Sequence, residues 1–305
     1  MSARSWLFVP GDSERKLSRA AESAADALIL DLEDSVAGER RSQARVLVAE
    51  HLRARRGPTS QELWVRVNGL ASGELLADLV GVVPAAPHGI VVPKLASFAE
   101  LETIHHYLSA LELREGLVRG TVRLVAIATE TPQALLQMSA LASGAAEHRE
   151  GVRGRLAGLT WGAEDLAAAV GAQAKTDAGG SLTPLFELAR SLCLLAAASA
   201  GVTAIDGVYS AFQDAAGLAK DLERARRDGF SGKLAIHPAQ VAAINAAFSP
   251  SESELEHARR VLAAFAAAGN AGVASLDGRM IDRPHQLQAE RLLSRVAPTP
   301  GAAKA

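Results

Sequence analysis

The chain has 305 residues, 49% apolar and 22% charged, with a formal net charge of −2. That length can bury a large core without cross-links, and the near-neutral balance excludes a general electrostatic draw to nucleic acid or an anionic membrane. Cys193 is the one cysteine; an internal disulfide and a cysteine-based zinc cage are thereby excluded. No apolar stretch reaches transmembrane length and no basic-then-apolar leader pattern opens the sequence, so a reducing, cytoplasmic setting is expected.

Short apolar runs alternate with longer stretches of helical periodicity. The predicted strands are Trp6–Val9, Leu28–Leu32, Leu63–Val67, Gly89–Val92, Val122–Ala128, Leu156–Trp161, Val202–Ile205 and Lys233–Ile236. Helix signals fall between them. Ser97 and Glu100 have capping-box spacing. Thr131-Pro132 and Thr183-Pro184 each put a cap residue before a proline at the first helical position. Gly201 and Gly229 stand where helices should stop, and Cys193 lies in an apolar run that reads as core. Strand–helix alternation implies right-handed parallel crossovers. Eight such units over about 240 residues fit a (β/α)8 barrel, with an open, doubly wound sheet as the alternative.

The barrel is assigned to residues 1–248 and a C-terminal helical extension to residues 249–305. In the extension, Ser251 and Glu254 repeat the capping-box spacing and open a helix that ends near Gly269. A glycine-rich lid loop is expected over residues 273–283, then a helix from Pro284 to about Val296. Gly144–Gly154 and Ala172–Leu182 read as surface loops.

Function in such a barrel gathers at the C-terminal strand ends. In order these ends carry Pro10-Gly11, then Asp31, Glu33 and Asp34, then Arg66 with Asn68-Gly69, then Pro93-Lys94. Glu130 follows, then Gly162-Ala163-Glu164-Asp165, then Asp206 and Tyr209, and last His237-Pro238. Any one of them alone reads equally well as a helix cap or a rim ion pair. Glu130 and Asp165, however, end the fifth and sixth runs, and neighbouring strands lie about 5 Å apart. Two carboxylates so placed suit a hard divalent cation of the magnesium type, which takes oxygen ligands and keeps some water. Arg66 offers a planar fork to a carboxylate or a developing enolate; it is equally a partner for Asp31, Glu33 and Asp34. Gly162 and Ala163 are small and open a helix, so their backbone N–H groups can approach an anionic substrate end.

Other residues read more plainly. Lys94 is a charge partner sooner than a Schiff-base lysine. His237-Pro238 is structural or substrate-lining. His105 and His106 look like surface residues. Arg53–Arg56 is a solvated helix end with an outside chance of meeting a phosphate.

Taken in order, several runs resemble the citrate lyase β-subunit-like proteins. They are Arg4–Gly11, Asp31–Val36, Val65–Gly69, Val92-Pro93-Lys94, Thr129-Glu130-Thr131, Trp161–Leu166, Ala204-Ile205-Asp206, Ala235–Gln240 and Asp277–Pro284. This is a branch of the aldolase–lyase superfamily that also holds malyl-CoA lyases, citramalyl-CoA lyases and malyl-CoA thioesterases. The resemblance implies a (β/α)8 barrel, bound Mg2+, and cleavage or formation of a carbon–carbon bond beside a CoA thioester such as malyl-, citramalyl- or citryl-CoA. It puts the magnesium carboxylates on Glu130 and Asp165 and the substrate-binding arginine on Arg66. Gly162, Ala163 and Glu164 fall at the substrate end, and Asp31, Glu33, Asp34 and Lys94 behind the metal and Arg66. The family's catalytic aspartate, brought by a lid from a neighbouring subunit, falls on Asp282, which implies a homotrimer or hexamer. Thr131-Pro132-Gln133 departs from a common Thr-Ala-x-Gly pattern, and Gly38 stands where proline is common. A thioesterase on the same substrates, an aldolase acting on free hydroxy oxo acids, and a non-catalytic barrel subunit are the alternatives.

Overall fold

Every predicted strand forms, and the eight close on themselves. The computed structural model describes residues 3–55, 57, 61–147, 151–269 and 272–295; Arg56 and Val296 lie outside them. The strands are β1 (Ser5–Pro10), β2 (Ala27–Asp31), β3 (Glu62–Arg66), β4 (Gly89–Val92), β5 (Arg123–Ile127), β6 (Leu156–Thr160), β7 (Thr203–Asp206) and β8 (Gly232–Ala235). Each pairs in parallel with the next, and β8 returns to β1, so the sheet is a closed barrel with no edge. Closure leaves no unpaired strand edge and settles the choice against an open sheet. The strands read as near-continuous apolar runs because both faces are buried, one by the barrel interior and one by helices. Trp6, Ile29, Trp64, Val91, Val125, Ile205 and Leu234 share one core cluster.

The turn chemistry is partly as predicted. Gly201 and Gly229 end their helices in the left-handed conformation, and Thr131 caps its helix by accepting the Ala134 N–H. The Ser97–Glu100 capping box does not form; Glu100 accepts the Ala96 N–H at 2.9 Å instead. Thr183 makes no side-chain cap bond. The stretch expected as a loop from Gly144 is largely helical, with helices over Met138–Glu147 and Val152–Arg155. Gly144 is there for space: a Cβ would stand 2.6 Å from the Phe98 ring.

The described chain divides into two compact units, one of Ala3–Ala246 and one that begins at Ala247. In the second, Ser251 and Glu254 form the expected capping box at the start of the Glu252–Ala267 helix. The stretch read as a glycine-rich lid loop is instead an antiparallel hairpin of β9 (Val273–Leu276) and β10 (Arg279–Asp282). Asp277 and Gly278 make its two-residue turn, both at positive φ (51° and 74°). Asp-Gly between alternating residues is a strong hairpin signal; Gly278, the one glycine of residues 273–283, marks this turn. Ala274 and Ile281 bury the hairpin's inner face against Val261 and Phe265 of the Glu252–Ala267 helix. The Arg283–Ser294 helix follows.

Candidate active site

Asp31 and Arg66 end adjacent strands and are register partners, so their side chains meet at the C-terminal mouth of the barrel. Arg66 Nε and Nη2 donate to the two Asp31 oxygens at 2.6 and 2.7 Å. This is the bidentate fork that a planar guanidinium offers a carboxylate. The same Asp31 oxygens accept the Glu33 and Ser35 N–H groups at 3.0 and 3.1 Å, which folds the acidic loop over the strand end. Burial works against the Asp31 charge, but the Arg66 and loop hydrogen bonds hold its carboxyl below the usual carboxylate range. Arg66 Nη1 stands 2.9 Å from Glu33 and 3.7 Å from Asp34, and its guanidinium stacks 4.7 Å over the Phe8 ring. Arg66 is therefore positioned from several sides and stays charged.

A support that sequence reasoning missed stands behind it. The Asn68 backbone and side-chain N–H groups both donate to buried Asp78, at 2.7 and 2.8 Å, and Asn68 also donates to the Leu32 carbonyl at 3.0 Å. Arg45 closes the set on Asp78 at 2.7 Å. These bonds tie the ends of β2 and β3 to the helix Leu75–Val82. An aspartate on an apolar helix face, as Asp78 is, was the available signal.

The next strand ends bring the metal candidates. Lys94, just past β4, turns its N–H onto Glu130 Oε2 at 2.5 Å. Its ammonium contacts Glu33, reaches Asp34 at 3.2 Å and reaches Asp165 Oδ1 at 3.2 Å. Lys94 is thus the charge partner expected of it. Glu130 is buried, and that burial, joined by the nearby charges of Asp165 and Glu33, pushes its carboxyl up to about 8 against the pull of the Lys94 N–H. Gly162 backs directly on it: a Cβ there would come within 2.7 Å of Glu130 Cγ. No larger residue fits without moving that carboxylate.

The donor set fits a magnesium-type ion. Asp31, Glu33, Asp34, Glu130 and Asp165 are five carboxylates that, among the described residues, face the cations Arg66 and Lys94. Glu33 is buried, with Oε2 held 2.9 Å from Arg66 Nη1 and Oε1 in contact with the Lys94 ammonium. Among the described residues no group of three or more acidic, histidine or cysteine side chains forms an all-protein cage. Magnesium seldom uses one; it binds through one or two carboxylates and keeps water and substrate oxygens. Glu130 and Asp165 would hold it.

The remaining predicted residues fall as follows. The Gly162 N–H donates to the buried Thr129 hydroxyl at 3.2 Å, so that donor is already engaged and the value of Gly162 lies in its missing side chain. Ala163 opens the Ala163–Val170 helix beside it. Glu164 is exposed and pairs with Lys175. Asp206 sits in a buried network with Trp161, Arg190 and Lys233 at 2.7, 3.1 and 3.0 Å. His237 caps the turn at Pro238 by accepting the Ala239 N–H and stacks on Phe212 with ring centroids 4.7 Å apart. His105 is not a surface residue: it is buried and accepts the Arg155 Nε–H at 3.2 Å. Asp282 is the residue that begins the Arg283–Ser294 helix, with its carboxylate 2.6 Å from His285 Nδ1.

Two cavities open at this end. One of about 540 Å³ is lined by Trp161, Glu164, Lys175, Lys220 and Lys233. The other, about 390 Å³, runs along the ends of β1 and β8, with Arg15, Lys16 and Arg19 on one wall and Phe8 and His237 on the other. Those three basic residues lie on the helix directly after Pro10-Gly11. Arg53 lines neither of these two cavities.

Against known proteins the chain matches a model of the HpcH/HpaI aldolase/citrate lyase family over residues 4–238. The (3S)-malyl-CoA thioesterase of Cereibacter sphaeroides is 36% identical over 294 residues, spanning 96% of this chain and 94% of the relative. The citrate lyase β subunit of Haemophilus influenzae is 33% identical over 296 residues, spanning 96% of each chain. A crystal structure of CitE from Mycobacterium tuberculosis, in complex with magnesium, acetoacetate and coenzyme A, superposes with a TM-score of 0.74 at 31% identity, covering 96% of this chain and 98% of that one. The chain therefore belongs to the HpcH/HpaI aldolase/citrate lyase family, enzymes of the lyase type.

Proposed function

We propose that the protein is a magnesium-dependent carbon–carbon lyase that splits a 3-hydroxyacyl-CoA thioester into an acyl-CoA and an oxo acid, or joins the two. The observation that carries this reading is the surplus of carboxylates around Glu130 and Asp165 with the Arg66 fork held beside them. Held by Glu130 and Asp165, magnesium would act as a Lewis acid on the oxo-acid oxygens. Asp31 fixes Nε and Nη2 of Arg66, and Nη1, which stands 2.9 Å from Glu33, would turn to the substrate carboxylate. As the 3-hydroxyl gives up its proton and becomes the oxo group, the broken bond leaves its electron pair on the carbon next to the thioester carbonyl as an enolate, and fixed positive charge stabilises that anion as it forms. Asp282, reaching in from a second copy of the chain, would carry the proton to and from that carbon, which is general acid–base work. Arg15, Lys16 and Arg19 line the groove that suits the phosphates of the CoA carrier. A shared Asp282 requires an oligomer, and the family resemblance makes it a homotrimer or hexamer.

A second reading is favoured by one observation, the 36% identity to a (3S)-malyl-CoA thioesterase. There water would attack the thioester and release free CoA. One experiment separates the two. The purified protein with magnesium is offered malyl-, citramalyl- and citryl-CoA while free thiol and oxo acid are followed together. Oxo acid without free thiol is the expected result. Free thiol with the hydroxy acid intact replaces the lyase by the thioesterase, and neither product from any of the three overturns both.

A further inference from the structure

Among the described residues Lys94 is one of three non-glycine residues with positive φ, at 51°. That conformation is unfavourable for a side chain with a Cβ and persists where the surroundings over-determine it. Here the left-handed turn does two things at once. It points the backbone N–H at Glu130 Oε2, 2.5 Å away. It also sends the ammonium the other way, into the acidic loop after β2, where it contacts Glu33 and stands 3.2 Å from Asp34. The ammonium's further contact is Asp165 Oδ1, also at 3.2 Å. One residue thus touches both carboxylates of the candidate metal pair, Glu130 with its backbone and Asp165 with its charge.

The two contacts differ in what a bound cation would do to them. An N–H on one oxygen of Glu130 leaves the other oxygen free to ligate. An ammonium on Asp165 occupies the place a cation would take, and two like charges do not share one carboxylate oxygen cheaply in a partly dry site. The Lys94 side chain is 35% exposed and Asp165 30%, so the pair can part without opening the core. Glu33 and Asp34 would keep the ammonium when it does.

We infer that Lys94 is a built-in counter-ion of the metal site: its ammonium, shared among Asp165, Glu33 and Asp34, competes with magnesium for Asp165, while its N–H holds Glu130. This rests on the placement of magnesium at Glu130 and Asp165. A ligand can move such an equilibrium only by its differential affinity for the two arrangements, so removing the ammonium must tighten magnesium.

The test is calorimetric magnesium binding to the full chain without substrate. Lys94→Gly keeps the N–H, suits the positive φ and deletes the ammonium. It should bind magnesium about fivefold tighter, the upper end for one partly exposed ion pair. Lys94→Ala, which keeps the backbone strain, should show the same direction. Lys175→Gln removes a nearby positive charge that pairs with Glu164 instead and should change affinity less than about twofold at moderate salt. As a second readout, acylation of Lys94 followed by peptide mass spectrometry should speed up when magnesium is added to the parent protein. Unchanged or weaker magnesium binding by Lys94→Gly, or an equal gain in Lys175→Gln, overturns the counter-ion role. Parent-like magnesium binding by both Asp165→Asn and Glu130→Gln instead removes the metal placement itself, so the two failures are distinguishable.

Discussion

Both ends of the barrel bury charge, and they treat it in opposite ways. At the N-terminal end Arg155 is fully buried against Glu112, with contacts of 2.7 and 2.8 Å. Glu112 also accepts the Gly120 and Val122 N–H groups at 2.9 and 2.8 Å, and Arg155 donates to the Val122 carbonyl at 2.5 Å and to His105 and Ser109, both at 3.2 Å. Here the charges are matched and their hydrogen-bonding capacity is used. At the C-terminal end five carboxylates around Glu130 and Asp165 share Arg66 and Lys94, and Glu130 is pushed up to about 8 by burial. A balanced buried pair serves stability. A surplus of one sign costs stability and marks the end where chemistry is done.

The strongest way to break that comparison is at the balanced end. Arg155→Leu leaves Glu112 buried without its partner and should lower stability by about 3–5 kcal/mol, measured by chemical denaturation. Activity per folded molecule should stay near the parent value; a loss of turnover would make the N-terminal end part of the mechanism. The pair also predicts a pH dependence. Burial alone would raise the Glu112 carboxyl, but the Arg155 and backbone hydrogen bonds hold it below its ordinary 4.5. Its stabilisation is therefore complete above that value and lost as pH falls through the lower folded-state value. Arg155→Leu should flatten this part of the acid-unfolding curve.

At the unbalanced end the signature should invert, with little change in stability and a large one in rate. Arg66→Lys keeps the charge and loses the fork. Turnover should drop by roughly 10²–10³, the usual cost of removing a donor from developing negative charge. A variant within threefold of the parent would take Arg66 out of the mechanism.

A smaller effect asks whether the mouth is complete within one chain. Asp282→Asn and Glu130→Gln should each be inactive alone. Subunits allowed to exchange at equal ratio would join an intact barrel to an intact Asp282 in about a quarter of sites, so activity should recover toward that fraction. Absence of recovery from demonstrably mixed oligomers would return Asp282 to its role at the start of the last helix.

The smallest effect is expected at the exposed part of the balanced end. Arg4 and Asp26 make three hydrogen bonds of 2.7 to 2.9 Å, yet the Arg4 side chain is 36% exposed. Arg4→Ala should cost less than about 1 kcal/mol. A cost near that of Arg155→Leu would mean that burial is not what separates the two ion pairs.

Much of this molecule is written in local pattern. Eight apolar runs spaced by helical segments specify alternating strands and helices, because each must bury a face of fixed period. The strand-end residues Asp31, Arg66, Glu130 and Asp165 are visible for the same reason: they are charged groups at or just past the ends of those runs. The Asp277-Gly278 turn is equally local, and the dipeptide is the signal that the lid-loop reading passed over. The rest depended on closure. Only when β8 returns to β1 do Arg15, Lys16 and Arg19 come to face His237 across one groove. The sequence shows His105 as one of two histidines on a helix; the packing of Arg155 from residues far along the chain makes it buried. Lys94 reads as an ordinary lysine after a proline, and nothing local announces its left-handed backbone. That conformation arises because Glu130 on one neighbouring strand and Glu33 two strands away pull its N–H and its ammonium in different directions. Side chains that meet through short-range periodicity can be read in one dimension, whereas groups whose position is a compromise among several distant partners are decided by the closed barrel.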